Sequence, residues 1–167
     1  MKTVYIFVTI LCFISCTIKE THYLSAGIEN IIIFPANKED SSKIKAIDLA
    51  ADNSMKKCQE NKNSACYDDR GIMIIPALFP KGIYNFRIAL FNNFKLSKNA
   101  KLGENRIRLT IGAKDNLENI EILKYTDEDT RKAIERVFRL KEFNSWKSAK
   151  IYGIPAKEQF EKSIFIK

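Results

Sequence analysis

The chain has 167 residues, with 28 lysines and arginines against 20 aspartates and glutamates, and a formal net charge of +8. This length fits one domain with a real core, and the charge is most simply that of a solvated, lysine-rich surface. The sequence contains 1 histidine, no glycine-rich phosphate loop and no cluster of metal-ligating residues. It therefore offers no catalytic, cofactor or metal site, and we expect no enzyme activity.

Residues 1–15 predict a secretory signal peptide. Lys2 precedes an apolar run, residues 4–14, that is shorter than the roughly 20 apolar residues a bilayer span needs. The segment 13–16 reads FISC and resembles a bacterial lipobox, in which the cysteine, here Cys16, is lipidated and becomes the first residue. The alternative is an ordinary cleaved signal peptide. For a basic protein outside the cytoplasm we expect anionic lipid, glycan or an acidic protein face as the partner, and no nucleic acid.

Residues 16–28 show no periodicity and predict a lipidated tether. It contains His22, which we expect to be neither a metal ligand nor a catalyst. Residues 29–70 form an amino-terminal extension, in which the β-branched run 29–35 ends at a proline and predicts a strand. Polar residues 40–42 then predict the start of a helix with the apolar residues Ile44, Ile47, Leu49, Ala50 and Met55.

Two cysteines, Cys58 and Cys66, follow that helix. If Cys16 is acylated and Cys12 is removed with the signal peptide, they are the only thiols left. We expect a structural disulfide in an oxidising envelope compartment, with free thiols as the alternative. A redox pair usually has the tighter C-x-x-C spacing.

The second half of the chain, residues 71–167, begins with a short apolar strand at 71–76 and a turn at 79–82. A helix follows, with a predicted core stripe of Ile83, Phe86, Leu90, Phe91 and Phe94. Residues 106–111 alternate polar and apolar and predict a strand with Ile107, Leu109 and Ile111 facing inward. A polar turn at 113–116 and a second strand at 120–124 complete a hairpin.

The last elements are a helix and a strand. Thr126, with Asp129 three residues later, approximates a capping box, and the apolar stripe that follows is Ala133, Ile134, Val137, Phe138 and Lys141. Phe143 and Trp146 should pack beneath this helix, and Gly153 and Pro155 mark a turn before a strand at 159–166. A right-handed crossover would lay this strand beside the first hairpin strand, at a sheet edge with its outer backbone groups unpaired.

Several short motifs in residues 72–167 occur in an order that resembles the TonB C-terminal domain family of Bacteroidetes-type envelopes. They are FPKG at 79–82, Ala100, Gly103, the turn residues Asp115 and Asn116, Trp146, and GIP at 153–155. The resemblance implies an α+β fold with a small antiparallel sheet, in the order strand-strand-helix-strand, with a preceding helix and an amino-terminal strand and helix extension.

The resemblance also implies a function. In the family, the last strand binds a segment of an outer-membrane receptor by strand addition. Carried over to this chain, the partner-binding strand would present Gln159, Glu161, Ser163 and Phe165. We therefore expect a lipoprotein at the periplasmic face of the outer membrane that binds a receptor or another envelope protein, with a role linked to TonB-dependent transmembrane transport.

Two alternatives stay open. In the first, an accessory or structural envelope lipoprotein uses the fold only as a scaffold, with Phe165 packed locally and the edge covered by the amino-terminal strand. In the second, the chain transduces energy itself, which would require a retained leader. A proline at position 163 should abolish partner binding without unfolding the domain, if the last strand is a free edge.

Overall fold

The computed structural model describes residues 22–25, 27–61, 65–68, 70–71 and 73–167. Within these ranges, seven strands form one sheet, and every pair of neighbouring strands is antiparallel. The strands are β1 (His22–Leu24), β2 (Glu29–Pro35), β3 (Ile74–Ile75), β4 (Gly103–Ile111), β5 (Leu117–Lys124), β6 (Ala149–Ile151) and β7 (Ile154–Ile166). The helices are α1 (Lys38–Glu60), α2 (Ile83–Asn93), α3 (Glu128–Phe138) and a 3-10 helix (Lys141–Asn144).

β7 is the longest strand and the centre of the sheet. Along one side it pairs with β4, from Gly103 opposite Ile166 to Ile111 opposite Glu158. β6 continues that side as the other arm of a tight hairpin with β7. Along the opposite side, β1 pairs with the last residues of β7 and β2 pairs with its middle. β5 pairs with β4, and β3 pairs with β6, so β5 and β3 are the outer strands on this side of β7, and β1 and β2 are the outer strands on the other side.

The hydrophobic core lies between one face of the sheet and the helices α2 and α3. β4 and β7 contribute alternate residues to it, as period-two strands with one buried face do. Aromatic rings fill its centre: the ring centroid of Trp146 lies 5.1 Å from that of Phe79, 5.4 Å from Phe86 and 5.7 Å from Phe160. Trp146 Nε1 donates a hydrogen bond to the Phe143 carbonyl at 3.0 Å, so the indole is buried without an unsatisfied donor.

The amphipathic stripe of α3 packs on this core. Ala133, Ile134, Val137 and Phe138 are buried as predicted, whereas Lys141 lies exposed in the 3-10 helix. The helix begins one residue later than predicted. Its N-cap is Asp127, which accepts hydrogen bonds from the Thr130 amide at 2.9 Å and from the Thr130 hydroxyl at 2.8 Å. A carboxylate is a strong cap because it also interacts favourably with the helix dipole.

The predicted α+β class is confirmed, and the hairpin of β4 and β5 is present with Asp115 in the left-handed conformation its turn requires (φ 58°). The sheet is larger than the small antiparallel sheet that was expected. β7 begins at Ile154 and not at 159, so Pro155 lies inside the strand. The tight turn instead has positive φ at Tyr152 (51°) and Gly153 (78°).

The predicted tether at 16–28 is too long. Residues 22–24 form β1, and His22 is buried, with its ring 4.6 Å from Phe91 and 5.1 Å from Phe94. A three-residue strand is too short to show a period, and its partner lies more than a hundred residues away along the sequence. No local sequence pattern therefore predicts β1. Cys16 and the rest of residues 1–21 lie outside the described residues.

The extension at 29–70 joins the same sheet through β2. The predicted helix within it is α1, which begins after the N-cap Asn37 and not at residues 40–42. Of its predicted apolar face only Ile44 is buried, and Leu49 is exposed. Polar contacts hold α1 in place: Tyr152 hydrogen-bonds Asp48, and the Arg70 guanidinium lies 3.4 Å from Asp52. The strand predicted at 71–76 is reduced to the two residues of β3.

Candidate functional site

β7 is not a free edge, so the prediction of an unpaired last strand was wrong. The crossover rule correctly placed this strand beside β4, with Arg106 opposite Ser163. It said nothing of the other side, which β1 and β2 occupy: Leu24 lies opposite Ile164 and Ile33 lies opposite Glu158. In addition, the Ser25 amide donates to the Ser163 carbonyl at 3.0 Å.

The four predicted contact residues share one face of β7, the face turned away from α2 and α3, and each has a partner inside the protein. Gln159 Nε2 donates to Thr110 Oγ1 at 3.2 Å, and Ser163 Oγ donates to Glu104 Oε1 at 2.8 Å. Phe165 stacks on Tyr23 of β1, with centroids 4.9 Å apart and ring planes 10° from parallel.

The fourth residue, Glu161, is buried within a polar ladder that crosses the sheet. It accepts hydrogen bonds from Arg108 Nη2 at 2.7 Å and from Asn30 Nδ2 at 2.8 Å. Arg108 also pairs with Glu121 of β5 at 3.0 Å. Hydrogen bonds from Arg108 and Asn30 lower the pKa of Glu161. The predicted residues are thus brought together, but their polar groups serve cross-strand pairing and are already satisfied.

Glu104, near the beginning of β4, extends this network of polar contacts across the sheet. It accepts from Ser163, from Lys124 at 3.1 Å and from Arg106 at 3.1 Å, and these hydrogen bonds lower its pKa to about 2. A carboxylate held by three donors stays ionised at any physiological pH. This ladder is a structural feature of the outer face and has no group poised for proton transfer.

Among the described residues, the long strands β2 and β5 each pair on one side alone, and the outer edge of β5 lies beside a groove. This eight-residue strand pairs with β4 alone among the described residues. In an antiparallel strand every second residue directs its N–H and C=O away from the neighbour, so β5 presents a row of unpaired backbone groups. At one end, the Leu117 amide donates to Asn144 Oδ1 at 2.9 Å, which closes the edge there.

A groove of about 830 Å³ runs beside this edge, between β5 and α3 with the 3-10 helix. We call it the β5 groove. Its apolar lining comes from Leu117, Ile120, Ile122, Phe138 and Leu140. Leu140 is 39 % exposed, so part of its side chain is available to a partner. The polar lining residues are Glu118, Asn119, Glu121, Tyr125, Arg131, Glu135, Arg139, Lys141 and Asn144.

The charges that remain free in the β5 groove are positive. Glu118 pairs with Lys157, Glu121 with Arg108, and Glu135 with Arg131. Arg139 and Lys141 are exposed, and neither forms an ion pair with any residue that the structure describes. The groove therefore combines unpaired backbone groups, apolar side chains and two available cations.

Two ionisable groups on the core face of β7 are buried. Lys162 Nζ donates to the carbonyls of Ser25 and of Gly27, the latter at 2.7 Å, and burial together with the nearby Arg87 charge lowers its pKa to about 8. Glu158 accepts from the Ala77 amide at 2.6 Å, and burial raises its pKa. Both side chains attach loops to the central strand through backbone groups.

The remaining predicted features can be placed briefly. Cys58 and Cys66 form the expected disulfide, with 2.07 Å between the sulfur atoms and 5.8 Å between the Cα atoms. In the part of the chain that the structure describes, no group of three or more His, Cys, Asp or Glu side chains could hold a metal ion. Within the same ranges, no helix has the length and hydropathy needed to cross a membrane.

Sequence reasoning placed β5 but assigned it no role. The available signal was topological: in the order strand-strand-helix-strand, the second hairpin strand has only one sequence neighbour to pair with and falls at the outside of the sheet. Arg139, Leu140 and Lys141 gave no signal of their own, because a basic and apolar triplet after a helix is common.

Comparisons with family models, with curated proteins and with solved structures gave no match for this chain.

Proposed function

We propose that this chain is a lipid-anchored protein-binding module of a bacterial cell envelope, which binds an extended segment of a receptor or another envelope protein by strand addition to β5. The observation that carries the proposal is the open eight-residue edge of β5 beside the β5 groove. The motifs that resemble the TonB C-terminal domain family support the same mode of binding. The edge proposed here differs from the family's, since β1 and β2 cover β7.

The bound segment would gain affinity from backbone hydrogen bonds to β5 and specificity from its alternate side chains. Side chains on its inner face would enter the apolar part of the groove, near Ile120, Ile122 and Leu140. Arg139 and Lys141 would favour an acidic residue at the end of the segment that lies beside them. The preferred ligand is thus an extended peptide with alternating apolar residues and a carboxylate toward one end.

The anchor and the location belong to the proposal too. We propose that residues 1–15 are removed, that Cys16 is acylated, and that the module faces the periplasm at the outer membrane, where a receptor of TonB-dependent transport is within reach. More than one acyl chain would hold it there durably. Mass spectrometry of the mature protein tests this part: an acylated Cys16 supports it, and a mature chain that still begins at Met1 contradicts it.

Binding is tested by capture from envelope extracts on the immobilised chain that begins at Thr17, which keeps every element the structure describes. Leu140→Asp places a charge in the β5 groove at an exposed position and should remove the captured protein. Leu102→Asp is the matched control, because Leu102 is 71 % exposed and does not line the groove. A photoreactive residue in place of Asn119 should then crosslink the captured protein directly to β5.

Capture that survives Leu140→Asp, or a crosslink that forms only from residues outside the β5 groove, would overturn the proposed edge. Equal loss in Leu140→Asp and Leu102→Asp would show that general surface charge and not the groove governs binding. Circular dichroism of both variants verifies that the fold is intact before capture is compared.

One observation favours a second function, an accessory or structural envelope lipoprotein without a transport role. β1 and β2 cover the strand that would receive a partner in the family, and Tyr23 covers Phe165. A module whose strands only complete their own sheet would serve as a scaffold. This function predicts that no envelope protein is captured by the parent chain and that no peptide from a random library binds it.

A further inference from the structure

A second groove, of about 290 Å³, lies on the outside of α2 where that helix meets β1. Tyr84, Arg87, Ile88 and Phe91 line it from the helix, and Tyr23 and Leu24 line it from β1. We call it the Arg87 groove. The four helix residues fall at i, i+3, i+4 and i+7, so they form one stripe.

This stripe is unusual because α2 already buries another apolar face. Phe86 and Leu90 are fully buried in the core, and a surface helix of that kind normally carries polar residues on its other side. Here Tyr84 is 69 % exposed and Ile88 is 39 % exposed. α2 is therefore apolar on both faces, and the outer face lies at the surface.

Arg87 sits within this apolar lining, and no counter-ion for it is found among the described residues. Its Nε is buried and has no hydrogen-bond partner among the described residues, and none of their carboxylates forms an ion pair with it. A second cation, Lys162, is close enough for the charge of Arg87 to act on it. A third, Lys167 Nζ, lies 4.4 Å from the centre of the Tyr23 ring. The surroundings thus favour an anion that also carries an apolar part.

The Arg87 groove lies close to the amino end of the described chain, and this position indicates which anion would be nearby. His22 begins β1 and its ring contacts Phe91 of the same groove. If Cys16 is acylated, as proposed above, the six residues before His22 span at most about 22 Å, since an extended chain covers about 3.6 Å per residue. The start of β1, next to the groove, would then lie within that distance of the bilayer surface.

We propose that the Arg87 groove is a binding site for an anionic phospholipid. The phosphate of the headgroup would contact the Arg87 guanidinium, and the start of an acyl chain would lie between Tyr84, Ile88 and Phe91. Exposed tyrosines beside a basic residue are side chains suited to the interfacial region of a bilayer. The anchor would hold the protein to the membrane, and this lipid-binding site would orient it so that one side of the sheet faces the lipid. The nearness of the bilayer rests on the proposed lipidation of Cys16, whereas the groove chemistry does not.

The test uses the chain that begins at Thr17, without an acyl anchor, in co-sedimentation with phosphatidylcholine vesicles and with vesicles that also contain phosphatidylglycerol. We expect binding only to the anionic vesicles. Arg87→Gln should weaken that binding at least about fivefold, the effect of one basic residue near an anionic membrane. Lys114→Gln is the control, since it removes the same charge at the β4–β5 turn, the opposite end of the sheet from β1.

Tyr84→Ser tests the apolar part without changing the charge, and Tyr125→Ser, in the β5 groove, is its control. We expect weaker vesicle binding for Tyr84→Ser alone. If the parent chain does not bind anionic vesicles, or if Arg87→Gln and Lys114→Gln lose vesicle binding equally, the proposed lipid-binding site is wrong. The result is separate from the proposed function, because capture of an envelope protein depends on Leu140 and vesicle binding depends on Arg87.

Discussion

At the scale of single residues, Lys162 shows how the central strand holds the beginning of the described chain. Its ammonium group is buried on the core face of β7 and is satisfied by the carbonyls of Ser25 and Gly27, in the loop that joins β1 to β2. The charged groups that act on it are Arg87, which is repulsive, and Glu29, which is attractive. A cation in this place is costly, and its retention ties the loop to the strand.

Lys162 predicts a particular pH dependence of stability. The pKa is about 8 in the folded chain and 10.5 in the reference state. Between these values the unfolded chain holds a proton that the folded chain has released. The free energy of unfolding should therefore rise with pH there, by at most about 1.4 kcal/mol per pH unit. Urea unfolding at several pH values from 7.5 to about 9.5 measures this slope.

Lys162→Met should flatten that slope, and Lys114→Met, at an exposed turn position, should keep it. The range stops short of pH 10 because the pKa of Tyr152 is raised by its hydrogen bond to Asp48, and its titration would act in the opposite direction. The same slope in parent and Lys162→Met would refute the assignment to Lys162.

At the scale of elements, the parts that sequence alone predicted are those with a strong local period. The alternation of Ile107, Leu109 and Ile111 and the stripe of α3 both mark faces that are buried in the structure. β1 could not be predicted, because three residues carry no period and the partner of Tyr23 is Phe165, far along the chain. The β5 groove could not be predicted either, because it depends on where α3 lies relative to a hairpin and not on either alone.

The cap of α3 predicts a measurable difference between two neighbouring acids. Asp127 accepts from the Thr130 amide and hydroxyl and also from the Lys101 amide at 2.9 Å, whereas Asp129 is exposed in the first turn. Burial opposes ionisation of Asp127, but these hydrogen bonds outweigh it and lower the pKa. Asp127→Ala should lower the free energy of unfolding by about 2 kcal/mol, the upper range for lost caps.

Asp129→Ala should change that free energy by less than about 0.5 kcal/mol, since an exposed helix residue without a capping bond contributes little. Chemical denaturation of both variants measures the difference. Equal effects would mean that charge in the first turn, and not the cap geometry, stabilises α3.

Because β7 is paired on both sides, a proline at position 163 should destabilise the domain, contrary to the expectation for a free edge. Ser163 is buried, and its amide donates to Ser25 Oγ at 3.3 Å. Ser163→Pro should therefore destabilise the fold by at least about 3 kcal/mol, whereas at a free edge it would be tolerated. Ser163→Ala keeps the backbone donor and loses the hydrogen bond to Glu104, for a cost of about 1 kcal/mol. Thermal unfolding of the two variants compares them, and a stable Ser163→Pro chain would refute the central position of β7.

At the scale of the whole molecule, the described chain is organised around β7, because four strands from three separate regions pair with it. Its inner face holds the aromatic core and its outer face a polar ladder, so neither face of this strand is left for a partner. The two surfaces proposed to bind partners lie at the periphery, at β5 and at α2. The molecule thus separates a rigid centre from two candidate interaction surfaces.

Backbone amide hydrogen exchange of the chain from Thr17, alone and with the protein it captures, tests this organisation most directly. In the free chain, the amides of β7 and β4 should exchange slowest, and β5 should exchange faster on its outer side. Binding should slow exchange in β5 and leave β7 unchanged. Fast exchange in β7 of the free chain, or protection of β7 by the partner as β1 and β2 become fast, would contradict it.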